Sequence, residues 1–418
     1  MAASNTLLTD SIITNEALAV LVNNFVLGSR SLRPVDSLFG KVGYKAGNTI
    51  RVRVPVRYTS ALGSAINLQN SVESQVNLTL NQRNIGMDFS SQDRTLSIDM
   101  FSSRFIKPAM AQLASDIDAD GFALYYLAQN LSTPGALTAG VPAAWTGAAV
   151  SDLLTYLNAG AVLDIQAAPR DGDRFIACSP YASAGIVNGL KGLFQDSYEI
   201  AEQYKTGLMG IAGGFQWVMS QNIPTFTAGS RSATGSAVNG SGSSVTGSTL
   251  VLKTAGTGTT YVQGDQFTIA GVYAINPLNR TAASALQVFT VLGATQTSAA
   301  GAVTLTIAPA ISVTAPNQTV SAAAADSAVV TFIGAASAGP TDVNFAWHKN
   351  AIMIAFCDLT DDLPGAEATV VRDTEGGSDI ALRFVRQYSA SDDNTYYRLD
   401  VLYGWQVVRP SLCVRVQG

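Results

Sequence analysis

The sequence predicts an α+β fold, and three observations carry that prediction. They are one long amphipathic helix over residues 103–131, an extended hairpin of alternating strands before it, and a charge-poor all-β block within a mixed body after it. In the helix, Ile106, Met110, Leu113, Ile117, Leu124, Leu127 and Leu131 fall three, four or seven apart, which sets one apolar stripe on a single face. Ser102 and Ser103 offer capping hydroxyls, Pro108 is tolerated within the first turn, and Pro134-Gly135 is expected to end the helix. At about 1.5 Å per residue it would be roughly 40 Å long, well above the average helix of about 11–12 residues. A solitary spine is therefore expected rather than one member of a bundle. Gly121, in mid-helix, should mark a bend or the close approach of another backbone.

Before the spine, residues 12–27 carry apolar side chains at helical spacing and stop at Gly28, which reads as a short arm helix. The period then changes to two. Ile50, Val52, Val54, Val56 and Tyr58 alternate with Arg51, Arg53, Pro55 and Arg57, giving a strand with one apolar and one basic face. Val76, Leu78 and Leu80 form its return partner, and a polar tip over residues 60–74 joins the two. The edges of such a projection invite pairing with a neighbour. Its basic face either docks on an acidic surface of the next subunit or is simply solvated.

After the spine, residues 150–163 have helical spacing with Ser151 as the cap, 173–178 read as a buried strand, Ser179-Pro180 opens a helix to about 190, and 215–220 read as a strand. At Thr227 the composition shifts. Up to Gly339 the only charged residues are Arg231, Lys253, Asp265, Arg280 and Asp326. Short β-type runs at 250–252, 266–269, 272–275, 286–292, 303–307 and 329–333 suggest a small barrel or sandwich. The Ser/Gly-rich stretch 228–248 is expected to be a flexible loop. The block reads as a domain inserted into a loop, so its two ends should lie close together. Beyond it, 343–356 is largely apolar, and strands are expected at 380–387, 396–403 and 411–416.

Charged residues make up 13% of the 418, about half the usual share, which suits a subunit covered largely by copies of itself. The net charge of −5 argues against dedicated nucleic-acid binding. Cys178, Cys357 and Cys413 are odd in number and far apart, so free thiols are expected rather than disulfides or a zinc site. The first residues lack a basic segment followed by an apolar run, and no window is apolar for eighteen residues, so neither a signal peptide nor a membrane span is expected.

Few residues suggest chemistry. Asp116, Asp118 and Asp120 with Gly121 copy the opening of a calcium-binding EF-hand loop, but the twelfth position is Leu127 where a bidentate acid is required. These carboxylates are expected on the helix surface, meeting cations such as the hairpin arginines Arg51, Arg53 and Arg57 of another subunit. The glycines at 207, 210, 213 and 214 lack a following Lys-Ser/Thr and read as a loop. His348 is the only histidine and lies in an apolar segment, so a structural role is expected. Asp361-Asp362 and Asp392-Asp393 read as solvated turns. No catalytic, cofactor-binding or metal-ligating residues are expected.

The stretch Asn344-Phe-Ala-Trp-His348-Lys349-Asn-Ala351 resembles one in major capsid proteins of tailed phages, and Ser220-Gln-Asn-Ile-Pro224 looks like the matching exit from their axial domain. Gly264-Asp265 with the run from Phe267 to Pro277 is similar to the inserted barrel of short-tailed enteric phage coat proteins. The ending Arg398-Leu-Asp400-Val-Leu-Tyr403-Gly404-Trp405 fits the same family. The resemblance implies a Hong Kong 97-type fold. Its parts would be an N-terminal arm (1–40), extended hairpin loop (41–99), spine and peripheral domain (100–144), axial domain (145–226), inserted barrel (227–339) and a return through the axial and peripheral domains (340–418). It further implies assembly of copies in hexamers and pentamers with scaffolding and portal proteins, around packaged double-stranded DNA, in a virion made in a bacterial cytoplasm. Two other readings stand beside it: an encapsulin-like compartment shell, and a β-rich surface or fibre protein.

Overall fold

The computed structural model of the chain describes residues 9–33, 49–60, 62–64, 68, 73–90, 102–135, 140–145, 147–148, 150–189, 210–231, 235–293, 296–299, 301–373 and 379–418. The expectations for the chain between the arm and the hairpin, most of the hairpin tip, the approach to the spine, Gly207 and the capping side chains of Ser102 and Ser103 lie outside the described residues. Two compact units make up the chain: Met1–Val52 with Gln75–Gly121 and Ile352–Gln406, and Arg53–Ser74 with Phe122–Ala351 and Val407–Gly418.

In the first unit the arm helix, α1, spans Thr9–Asn24 and buries Ala17, Leu18 and Leu21, followed by buried Phe25 and Leu27. The sheet runs in the order Ile352–Cys357, Asn394–Val407, Ala381–Ser389, Glu367–Arg372. Alternation in the long strand sends Tyr397, Leu399, Val401 and Tyr403 to the core. The hairpin is shorter on one side than its pattern suggests. Thr49–Val54 pairs with Ser74–Thr79 and stops before Pro55, which has no N–H to donate. The returning chain instead continues as Asn81–Ser90, which pairs with Asn394–Val407 from Asn81↔Tyr403 to Ser90↔Asn394.

The spine begins as a π-turn over Ser102–Ile106, continues as α2 over Lys107–Phe122 and tightens to a 3₁₀ turn over Ala123–Leu127. Ile106, Met110, Leu113 and Ile117 are buried, as the stripe requires. The helix ends at Leu127 rather than Leu131, because a strand competes for the next backbone groups. Asn130–Ser132 pairs in parallel with Cys413–Val416, and the Asn130 amide donates to the carbonyls of Ser411 and Cys413.

The second unit holds a six-stranded sheet in the order Asn130–Ser132, Cys413–Val416, Asn344–His348, Arg174–Cys178, Phe215–Met219, Ile211–Ala212. Two helices accompany it, α3 over Leu153–Ile165 and α4 over Pro180–Gly189. The cap of α3 is Asp152 and not Ser151: the Asp152 carboxylate accepts from the Leu154 N–H at 3.0 Å.

The same unit contains a closed barrel in the order Gly247–Lys253, Val303–Ile311, Ala282–Val291, Gln266–Ile275, Val329–Phe332, Ser236–Val238. Its core includes Val238, Leu250, Leu252, Tyr261, Phe267, Phe289, Leu305, Val330 and Phe332. The runs expected at 266–269 and 272–275 are one strand. Its register jumps between Thr268 and Tyr273, around Gly271 at φ +81°, a bulge that only glycine adopts without strain. The Ser/Gly-rich tract is not wholly loop either, since Ser236–Val238 pairs on both sides and closes the barrel. Small residues carry little of a strand's hydrophobic signal, yet Ser236 and Val238 are fully buried.

The two ends of the block run side by side. Thr225–Phe226 pairs antiparallel with Thr341–Asp342, and the Ala228 N–H donates to the Ala338 carbonyl at 2.9 Å. Phe226, Trp145, Leu131, Val288, Ile333 and Val343 form a second core at this neck. Beside it lies buried Arg415, which donates to the Gly264 carbonyl and stacks on Tyr125 and Phe226 at 5.1 and 5.0 Å.

Candidate contact residues on the spine helix and hairpin

Residues two apart on a helix point to nearly opposite sides, whereas residues four apart share a side. Asp116 and Asp120 therefore face together and Asp118 faces away, which scatters the calcium-like series. Among the described residues no group of three or more acidic, histidine or cysteine side chains is placed to hold a metal.

Asp118 is not on the helix surface: it is 1% exposed. Its Oδ2 accepts from the N–H groups of Val26 and Leu27 at 2.6 and 3.2 Å, and Oδ1 accepts from that of Gly28 at 2.9 Å. These donors follow the end of α1 and open a 3₁₀ turn over Gly28–Arg30, where backbone N–H groups have no partner of their own. Asp118 thus fastens the arm to the spine. Burial pushes its carboxyl up to about 6 even though the three N–H donors pull the other way.

Asp116 and Asp120 are held by Arg83 of the same chain. The guanidinium reaches Asp116 Oδ2 at 3.2 Å and Asp120 Oδ1 at 2.8 Å. Its Nε also donates to the Tyr403 hydroxyl at 2.9 Å, and that hydroxyl donates to Asp120. Burial and then the Asp120 contact hold the Tyr403 phenol well above its ordinary range. One helix face is in this way joined to the strands Asn81–Ser90 and Asn394–Val407.

The hairpin arginines lie elsewhere. Arg51 and Arg53 are exposed, with Arg53 3.6 Å from Glu73, a solvated pair worth little. Arg57 is half-buried, and burial followed by the charges of Arg280 and Arg409 lowers its affinity for its proton. Among the described residues no ion pair or hydrogen bond joins these three arginines to the three aspartates.

A sequence profile described as P22 coat protein, gene protein 5, matches residues 1–418. The chain belongs to the P22 coat protein family. It is the major capsid protein of a tailed phage, and the family match favours that reading over a compartment shell. No curated protein matches it. The coat protein is similar to a chain of Mycobacterium phage Che8 at 12% identity, covering 94% of this chain and 90% of that one, with a TM-score of 0.44. It is likewise similar to the capsid of Cyanophage P-SCSP1u at 12% identity, covering 94% and 88%, with a TM-score of 0.45. A virus-like particle from Pyrococcus furiosus aligns at 6% identity over 98% and 100% of the two chains, with a TM-score of 0.40. These TM-scores lie below 0.5 and add nothing to the family match.

His348 and two of the three cysteines, Cys178 and Cys413, are buried. The His348 Nε2 lies 3.1 Å from Asp171 Oδ1, while its Nδ1 accepts from the Asn350 N–H at 3.2 Å. Burial pushes the Cys178 thiol up to about 12 and Cys413 higher still, which suppresses the reactive thiolate. Sequence reasoning missed Arg83 as the partner of the spine carboxylates. Its signal was present: Arg83, Ile85, Met87 and Phe89 alternate with exposed residues and share the inward side of one strand.

Proposed function

We propose that the coat protein adopts the Hong Kong 97-type arrangement, with residues 1–40 as the arm, 41–99 as the extended loop, 100–144 as spine and peripheral domain, 145–226 as axial domain, 227–339 as inserted barrel and 340–418 as the return. The family match over the whole length is the observation that carries this reading. The closed barrel and its adjacent ends support the insertion. Copies join in hexamers and pentamers, with scaffolding and portal proteins, into an icosahedral shell around double-stranded DNA.

The work of such a protein is geometric, and no catalytic residue is assigned. Arg51, Arg53 and Arg57 remain the candidates for contact with a neighbouring subunit. Tyr58, Leu62 and Leu68 are 62%, 108% and 90% exposed, side chains that a neighbour would cover. Asp116, Asp118 and Asp120 act inside the subunit instead, through Arg83 and the backbone of residues 26–28. DNA contact is weak and independent of sequence, in keeping with the net charge of −5. Synthesis takes place in the host cytoplasm. Sedimentation of purified protein with its scaffolding partner tests the reading: large closed particles are expected, and a stable monomer under every assembly condition would refute it.

A further inference from the structure

The second unit contains a small crevice of about 40 Å³ lined by Arg57, Gln129, Gln166, Gln287, Gln318 and Ser411, among others. Its one charged lining group is the Arg57 guanidinium, and the rest of its polar lining is amides and hydroxyls that can donate or accept. Arg57 carries five N–H groups and has no carboxylate partner among the described residues. The side-chain amides of Gln129 and Gln166 make no hydrogen bond among the described residues. Gln287 and Gln318 each donate to a nearby main-chain carbonyl, those of Val288 and Val320.

Two further guanidinium groups sit close by. Arg280 donates from Nη2 to the carbonyl of Tyr58, the residue after Arg57, at 3.1 Å. Its Nε is buried and without a partner among the described residues. Arg409 lies two residues before Ser411 on the crevice wall and adds its charge to that felt by Arg57. Three like charges gathered without a counter-ion among the described residues repel one another, and a buried guanidinium N–H left unpaired costs free energy.

We propose that this crevice binds an oxyanion of the phosphate or carboxylate class, taken by the Arg57 fork and the Gln129 and Gln166 amides, with Arg280 and Arg409 supplying charge. A planar guanidinium matches the paired oxygens of either group, and the amides add donors without adding repulsion. The groups that form the site belong to a single chain, and only the second of its two candidate occupants rests on the assembly reading. Its occupant is either a free anion or an acidic side chain of a neighbouring copy.

Calorimetric titration of full-length unassembled subunits with inorganic phosphate, in chloride buffers of matched ionic strength, tests the proposal. One site per subunit is expected, weakened at least about tenfold by Arg57→Gln and by Arg280→Gln, and less by Arg57→Lys. Thermal unfolding without phosphate checks that each variant still folds. The same titration on assembled shells separates the two sources: retained binding identifies a free anion, and lost binding identifies a carboxylate from a neighbouring copy. No phosphate binding by the subunit, or binding unchanged in both glutamine variants, overturns the proposal.

Discussion

Substituting Gly121 with alanine would place a methyl group where the packing has no room for one. A Cβ there lies 2.6 Å from Leu27 Cδ2, and 2.8 and 2.9 Å from Cε2 and Cζ2 of Trp405. Carbon atoms in favourable contact sit about 3.5–4.0 Å apart, so both neighbours would have to move by most of an ångström. Neither is free to do so. Leu27 is fully buried, and the Trp405 Nε1 donates to the Ile117 carbonyl at 2.8 Å. Overpacking of this kind costs about 1–3 kcal/mol, and a strained Trp405 hydrogen bond adds about 1 kcal/mol. Alanine's better helix propensity returns about 1 kcal/mol. The net expectation is a loss of about 1–3 kcal/mol, read as a lower urea midpoint at constant slope in unassembled subunits. Leu27→Ala alone should cost about 2–5 kcal/mol, but in the Gly121→Ala background much of its cost should vanish, because the cavity it leaves receives the new methyl. A coupling of at least about 1 kcal/mol is expected in the double-mutant cycle. A Gly121→Ala protein as stable as the parent, or costs that simply add, would refute the steric argument.

Three further outcomes follow from contacts within the chain. Burial raises the folded-state pKa of Asp118 from 3.8 to about 6, so the native state binds the proton more tightly and its stability should rise as pH falls from about 6 to about 4. The stability difference between parent and Asp118→Asn should then vary by up to ~3 kcal/mol between pH 7.5 and 4, and a difference independent of pH would contradict the assignment. Arg83→Ala releases Asp116 and Asp120 together and should lower stability by about 1 kcal/mol, measured by urea unfolding, since the network is only partly buried. Replacing residues 228–338 by a short linker should preserve the helical circular dichroism of the remaining chain, because the Thr225–Phe226 and Thr341–Asp342 pair already holds the ends together. Loss of that signal would show the barrel to be indispensable to the body.

Much of the fold was legible because its signals were local. The stripe through Ile106, Met110, Leu113 and Ile117 marked the spine, and alternation in 396–403 marked the middle of the longest strand, Asn394–Val407. What escaped depended on partners distant in sequence. The helix stops short of Leu131 because residues 413–416 claim the backbone of 130–132, and no local feature announces that pairing. Ser236–Val238 becomes a strand because neighbours on both sides complete the barrel around it. The spine carboxylates were noticed, but their partners are Arg83, 37 residues from Asp120, and the backbone at Gly28, 90 residues from Asp118. Spacing alone separates Asp118 from the other two; only the fold says what each one meets.

The strand Cys413–Val416 lies inside the six-stranded sheet, between Asn130–Ser132 and Asn344–His348. That position sets the timetable of folding. The ribosome adds about 5–20 residues per second, so Asn130–Ser132 waits some tens of seconds before its sheet partner has even been made. Throughout that interval the nascent chain carries unpaired strand edges and an uncovered apolar surface, the conditions under which chains associate wrongly. The coat protein is thus built so that its central sheet closes late, and its dependence on chaperones during synthesis should be set by the arrival of residue 416.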